Sequence, residues 1–420
     1  MSQTIVGIKN DKMTINGKLT YSGLSEVKHR HYGLMMNARF IQGIFDDRVD
    51  PSRFSRFGCY WNADENTSAL IKALPEWKRY GLLAFTVGLQ GGMPVLTIRN
   101  KTIDNNPYSE DGNEINPDYL NRLDRLIVAA DQVGMVVIVS LLYQGQSPRI
   151  KDGKCLRNAV KTACNFLREQ GYQNVLIEVA NEHDVGQFKN HPLVFYPDGI
   201  ASLIDLAKQE SGGMMVGSSS GGLKYYPEVC QASDIILVHG NGGTEQTYYN
   251  MIRDIQALNF NKPIICNEDS PRFTQLKIAY QTGTSWGYYN THTKQEPPAD
   301  WSVTVGEDYF FAWRMANGLE IDVPTIPFEE QFHLQGFEKN SIYQNKRWIR
   351  LASLYPEKIN YVEFYKNGQF YDIAYEEPYY VNHRQTWIQE GVGVRTGDNW
   401  KVLVHLHDGK VLEKSHVDTS

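Results

Sequence analysis

Between residue 39 and about residue 322, short apolar runs alternate with helix-patterned segments eight times, a rhythm few folds can accommodate. The runs occupy 39–45, 82–87, 135–139, 175–180, 214–216, 235–238, 263–266 and 285–289. Segments such as TSALIKALPEWKRYG and PDYLNRLDRLIVAADQVG lie between them, with apolar residues at helical spacing. Strand–helix alternation implies a parallel sheet covered by helices, and eight repeats favour a closed (β/α)8 TIM barrel over an open sheet. The fifth and eighth strands are the weakest, each short and flanked by glycine.

Two further segments flank this array. KMTINGKLTYSG alternates around Asn16-Gly17, which predicts an N-terminal hairpin. Beyond residue 322, INYVEFYKNGQFYDIAYEEPYYV and NWKVLVHLHDGKVLEKS alternate with period two. Turns are expected at Asn367-Gly368, Gly397-Asp398 and Asp408-Gly409, so this part reads as a small antiparallel β-sandwich. The expected division is a barrel with its hairpin over 1–322 and a sandwich over 323–420. A chain of 420 residues is long enough for both. No low-complexity linker separates the parts, so they are expected to be docked.

Composition narrows the partners. The 42 Lys+Arg nearly balance 48 Asp+Glu and form no long basic run, which argues against nucleic acid. No apolar stretch approaches the roughly 20 residues of a membrane span. MSQTIVGIKNDK lacks the pattern of a signal peptide. The chain reads as soluble and cytoplasmic, or as secreted or periplasmic if an export signal has been removed. Five scattered cysteines in no CxxC pair suggest neither a disulfide framework nor a zinc site. Aromatic residues recur in polar loops, as in FGCYWNADENT and SWGYYNTHT. Most aromatics are expected in the core, and some are candidates to stack on flat sugar rings. Trp286 leads that set, with Trp61, Tyr143, Tyr60 and Phe45 as equal candidates behind it.

Chemistry enters at two strand ends. The fourth strand, NVLIEVANEHD, is almost wholly apolar and stops at Asn181-Glu182-His183-Asp184; the seventh, NKPIICNEDS, stops at Asn267-Glu268-Asp269. In a barrel all strand carboxyl ends face one site, and strands four and seven lie across it from each other. One glutamate ending a strand is ordinarily a surface or ion-paired group. Two facing each other would bury like charges at several kcal/mol unless they have a function. Carboxylates about 5 to 5.5 Å apart suit retaining glycoside hydrolysis. Glu268 would be the nucleophile, and Glu182 the acid and then base, its initial protonation favoured by repulsion from Glu268. Asn181 is a candidate partner for the sugar 2-OH. His239 and Asn241, in ILVHGNG after the sixth strand, and Gln90 after the second are candidate substrate contacts. Glu178, inside the fourth strand, reads equally as a buried structural carboxylate or a site residue.

These motifs resemble glycoside hydrolase clan A, of which family 5, the cellulase-like enzymes, is best known. The resemblance rests on ANE after strand four and CNED after strand seven and covers residues 1 to about 320. It implies a TIM barrel, a retaining mechanism on a β-linked oligosaccharide or polysaccharide, and no cofactor. It also places Trp286 of SWGYY as the floor of the catalytic subsite. EKINYVEFYKNGQFYDIAYEEPY is similar to bacterial immunoglobulin-like modules attached to glycosidases. Two departures stand out. Relatives carry an arginine at the end of strand two that pairs with the nucleophile, where this chain has Thr86-Val87-Gly88-Leu89-Gln90; Arg39 is a substitute on another strand. The usual strand-six tyrosine is replaced by His239.

Three rival readings remain. Gly217-Ser218-Ser219-Ser220-Gly221 matches the G-x-S-x-G elbow of serine esterases with Ser219 as nucleophile, although GLKYYPEVC does not supply the helix that elbow requires. Glu182, His183, His239 and Glu268 offer a metal ligand set. A barrel that binds sugar without cleaving it is the third.

Overall fold

A computed structural model of the chain describes residues 3–24, 28–98, 100–338, 341–385 and 388–419. Eight parallel strands follow the eight apolar runs: β1 (Asn37–Arg39), β2 (Ala84–Gly88), β3 (Val136–Tyr143), β4 (Val175–Asn181), β5 (Met215–Gly217), β6 (Ile236–His239), β7 (Ile264–Glu268) and β8 (Gly287–Tyr288). Strands pair in the order β8-β1-β2-β3-β4-β5, and β6 pairs with β7. Asp234 N–H donates to Val216 O (2.8 Å) across β5 and β6, and Ser285 N–H donates to Ile264 O (3.1 Å) across β7 and β8. These bonds join the two sheets in barrel order. The first strand, Asn37–Arg39, meets the expected run of 39–45 only at Arg39. Gly43 N–H bonds back to Phe40 O, and Phe40 and Ile44 are buried in a turn instead.

A helix follows each strand: α1 (Ala63–Arg79), α2 (Pro117–Gln132), α3 (Gly153–Glu169), α4 (Pro197–Glu210), α5 (Pro227–Ala232), α6 (Glu245–Ala257), α7 (Phe273–Thr282) and α8 (Glu307–Gly318). Local chemistry sets their starts. The Asn62, Asn116 and Asp152 side chains accept from backbone N–H groups of the first turns of α1, α2 and α3, and Thr244 forms a capping box on α6. On α3 the buried residues are Cys155, Leu156, Ala159, Val160, Ala163, Cys164 and Leu167, one stripe at helical period against the sheet. β2, β3 and β4 are buried on both faces, as parallel strands under helices must be. The Asn16-Gly17 hairpin forms with both residues at positive φ, and Met13 inserts into the main core.

Among the described residues after Ile326 the regular elements are β-strands and short 3-10 turns. β9 (Ile359–Lys366), β10 (Gln369–Ala374), β11 (Asn399–Leu406) and β12 (Val411–Val417) form an antiparallel sheet in the order β10-β9-β11-β12. Asn367-Gly368 and Asp408-Gly409 fall in its hairpin turns. The inward residues of β9 and β11, among them Val362, Phe364, Trp400, Val402 and Val404, build a second core with Phe332 and Leu351. This part is docked on the barrel. Glu377 accepts from Thr274 N (3.1 Å) and Oγ1 (2.7 Å) at the start of α7, and Arg314 on α8 pairs with Glu357 at 2.8 Å. Glu307 and Arg350 form a buried ion pair across the same junction. Among the described residues no helix is long and apolar enough to cross a membrane.

Candidate active site

Glu182 follows the last residue of β4 in a left-handed backbone conformation, φ +53°, where non-glycine residues are rare. Glu268 ends β7 in extended backbone. One oxygen of each carboxylate and a ring nitrogen of His239, at the end of β6, lie within 4.8 Å of one another. His239 Nδ1 is 2.9 Å from Glu182 Oε1 and 3.5 Å from Glu268 Oε2. Around Glu268 the polar groups are almost all donors. Arg39 Nη1 pairs with Oε2 at 2.8 Å, Asn241 Nδ2 donates to Oε1 at 2.9 Å, and Asn181 Nδ2 reaches Oε2 at 3.4 Å. Arg39 Nη2 in turn donates to Asn181 Oδ1 at 3.1 Å, which fixes which way that amide faces.

The electrostatics follow from burial. Burial pushes the Glu268 carboxyl above the ordinary carboxylate range, while Arg39 and His239 pull it down and Glu182 adds to the rise. For His239, burial opposes the charged form, but the Glu268 and Glu182 carboxylates outweigh it and raise its pKa. Burial also opposes charge on Arg39, and Glu268 outweighs it, so the guanidinium stays protonated. Burial pushes the Tyr143 hydroxyl up to about 12, with Arg39 opposing and Glu268 and Glu182 adding. Tyr143 therefore lies within the field of the pair.

Of the residues expected from sequence, Glu182, Glu268, Asn181, His239, Asn241 and Tyr143 come together. Three do not. Trp286 is fully buried, donates to Asp269 Oδ2 at 2.7 Å and lies 5.7 Å from the Phe311 ring on α8, so it faces the helix layer and floors no subsite. Gln90 is consumed on both ends of its amide, accepting from Tyr143 N and donating to Asn106 Oδ1 at 2.8 Å each. Trp61 belongs to a satellite cluster with Phe45 and Phe54 and donates to Asp46. The metal set loses His183, whose Nδ1 is 3.2 Å from Val194 O. Ser219 is no esterase nucleophile: its hydroxyl donates to Glu178 Oε1 at 2.7 Å and, among the described residues, has no histidine partner.

Sequence reasoning missed Tyr289. The Arg39 guanidinium lies 5.3 Å from its ring centre, and the ring lines a small cavity with Asn241. Tyr380 and Gln389 of the C-terminal part line the same cavity. Strand alternation carries the missing signal. Trp286 and Tyr288 both pack on Phe311, so the intervening parity, Gly287 and Tyr289, faces the other way. Arg39, legible in the sequence only as a substitute on another strand for the absent strand-two arginine, pairs with Glu268.

No family model matches the chain, and no curated protein matches it in sequence. Solved structures do match. A candidate glycoside hydrolase from Bacteroides vulgatus aligns over 93% of this chain and 80% of its own, with a TM-score of 0.50 at 11% identity. The endo-1,4-β-mannanase from Rhizomucor miehei aligns over 76% of this chain and 100% of its own, with a TM-score of 0.51 at 11% identity. At such identity the likeness concerns the fold, and the fold of this chain is the one those two proteins share with it.

Proposed function

We propose that the protein is a retaining glycoside hydrolase acting on a β-linked oligosaccharide or polysaccharide. The observation that carries this reading is the spacing of Glu182 and Glu268, whose nearest oxygens lie within 4.8 Å. That spacing suits a nucleophile and an acid on opposite faces of one sugar ring, with no room for a water between carboxylate and anomeric carbon. The unequal surroundings of the two carboxyls support the division of roles. Glu268, ringed by Arg39, Asn241 and Asn181, has the donors to persist as a carboxylate. Glu182, hydrogen-bonded to His239, has a proton-sharing partner.

In the first step a Glu268 oxygen bonds to the anomeric carbon as the glycosidic C–O bond breaks, and the leaving oxygen takes a proton from Glu182. In the second, Glu182 removes a proton from water, whose oxygen displaces Glu268. The Rhizomucor miehei neighbour, a β-mannanase, supports a β-linked substrate. The division at 322/323 and an immunoglobulin-like character for the C-terminal part belong to the same proposal; the second core of residues 332–412 supports a separate C-terminal unit, while Ile326, Ala352 and Leu354 join the barrel core.

Reducing-sugar release from β-mannan, β-glucan and xylan tests the reading. Activity on at least one is expected, with a loss of at least about a hundredfold in Glu182→Gln and in Glu268→Gln at unchanged melting temperature. Near-normal turnover in either variant would overturn it. A second reading rests on Glu182, His239 and Glu268 as metal ligands. The guanidinium 2.8 Å from Glu268 disfavours a cation there, and loss of activity with a chelator, restored by a divalent metal, would favour it.

A further inference from the structure

The serine run that resembles a nucleophile elbow has a different use. Ser218–Ser220 runs beside the end of β4 and holds the backbone at Ala180, Glu182 and His183. Ser218 Oγ donates to Ala180 O at 2.9 Å, Glu182 N–H donates to Ser219 Oγ at 3.0 Å, and His183 N–H donates to Ser219 O at 3.0 Å. Ser219 Oγ–H then donates to Glu178 Oε1 at 2.7 Å. A hydroxyl has one proton, so accepting from Glu182 N–H and donating to Glu178 fixes its direction. Asn267 Nδ2 donates to the same Glu178 oxygen at 3.0 Å, one residue before Glu268. Ser219 and Glu178 are both fully buried.

Glu182 needs such a holder. Its φ of +53° is a conformation that glycine takes freely and other residues adopt only at a cost. Glycine cannot serve here because the position requires a carboxyl. We propose that Ser219 and Glu178 are a positioning pair that holds Glu182 in its left-handed conformation and so aims its carboxyl at the leaving oxygen. This rests on the reading of Glu182 as the acid.

The test exploits the different demands of two leaving groups. Dinitrophenol leaves without acid help and phenol does not, so a misaimed acid spares the dinitrophenyl β-glycoside and impairs the phenyl one. Aryl β-mannosides, β-glucosides and β-galactosides are the probes. Ser219→Ala is expected to lose roughly tenfold to a hundredfold in kcat/KM on the phenyl glycoside and less than about threefold on the dinitrophenyl one. Ser219→Thr, which keeps the hydroxyl, should restore much of the difference. Ser219→Cys, near in volume and a poor acceptor, carries the same test if the alanine variant does not fold. Equal losses on both substrates would mean a merely structural serine and would overturn the proposal, as would no loss on either. Glu182→Ala on the same pair is the control. If it shows no leaving-group dependence the functional reading fails, and if it does while Ser219→Ala does not, the positioning role alone fails.

Discussion

At the residue scale, Arg39 links sequence, electrostatics and chemistry most tightly. It is almost wholly buried, and its ion pair with Glu268 is the strongest attraction on a carboxyl that burial pushes upward. If Glu268 is the nucleophile, as proposed, it must be ionised to attack, and the acid limb of kcat/KM should lie above the ordinary glutamate pKa of about 4.3. Removing the cation removes a lowering influence. Arg39→Met should therefore move that limb to still higher pH, measured as a pH–rate profile on an aryl β-glycoside, while melting curves show that the variant is folded. A limb that stays in place would mean that Arg39 does not govern the charge on Glu268. Both glutamates were legible in the sequence because two buried strands ended in the same Asn-Glu grammar. Arg39 was harder to assign because the sequence shows which strand a residue occupies, and the reach across β8 from β1 to β7 depends on how the ring closes.

At the scale of the element, β8 shows why aromatic content alone misdirects. SWGYY offers three large rings, and which one meets the substrate depends on the parity of a strand only two residues long. Trp286 and Tyr288 take the helix side against Phe311, and Tyr289 takes the side of Arg39. The two faces should therefore respond differently. Trp286→Phe removes the hydrogen bond to Asp269, a buried carboxyl that burial raises to about 7, and should destabilise the fold by about 1–3 kcal/mol with turnover largely kept. Tyr289→Ala should lower kcat/KM about tenfold or more with a smaller change in melting temperature. Thermal melts and aryl-glycoside kinetics on the two variants check this, and the reverse pattern would put Trp286 back at the site. The same limit applied to Gln90 and Trp61. Their polarity and aromaticity suited a site, but hydrogen-bond partners and a satellite cluster elsewhere had already claimed them.

For the whole molecule, the alternation of eight apolar runs was enough to predict the strand count and the parallel sheet. Period-two texture was enough for the antiparallel strands of the C-terminal part, because each pattern fixes which face of an element is buried. Docking between the two parts was not predictable in detail, since it depends on single polar contacts such as Glu377 to Thr274. Burial raises the Glu377 carboxyl to about 7, with its Thr274 bonds opposing. A group whose folded pKa lies above its unfolded value of about 4.3 contributes stability that is full below that value and lost as pH rises through about 7. The protein should accordingly lose up to about 3 kcal/mol from this group between pH 4 and 8. Glu377→Gln keeps an acceptor for Thr274 and carries no charge, so its stability should fall less over that window in urea titrations. An unchanged slope would mean that Glu377 does not couple the two parts to pH.

The most direct test of the central claim is the configuration of the first sugar released. On the proposed reading, carboxyl oxygens within 4.8 Å leave no space for a water between Glu268 and the anomeric carbon, so direct attack and two inversions are expected. Proton NMR of the earliest product from a β-glycoside should show the β-anomer before mutarotation, and initial release of the α-anomer would contradict the account.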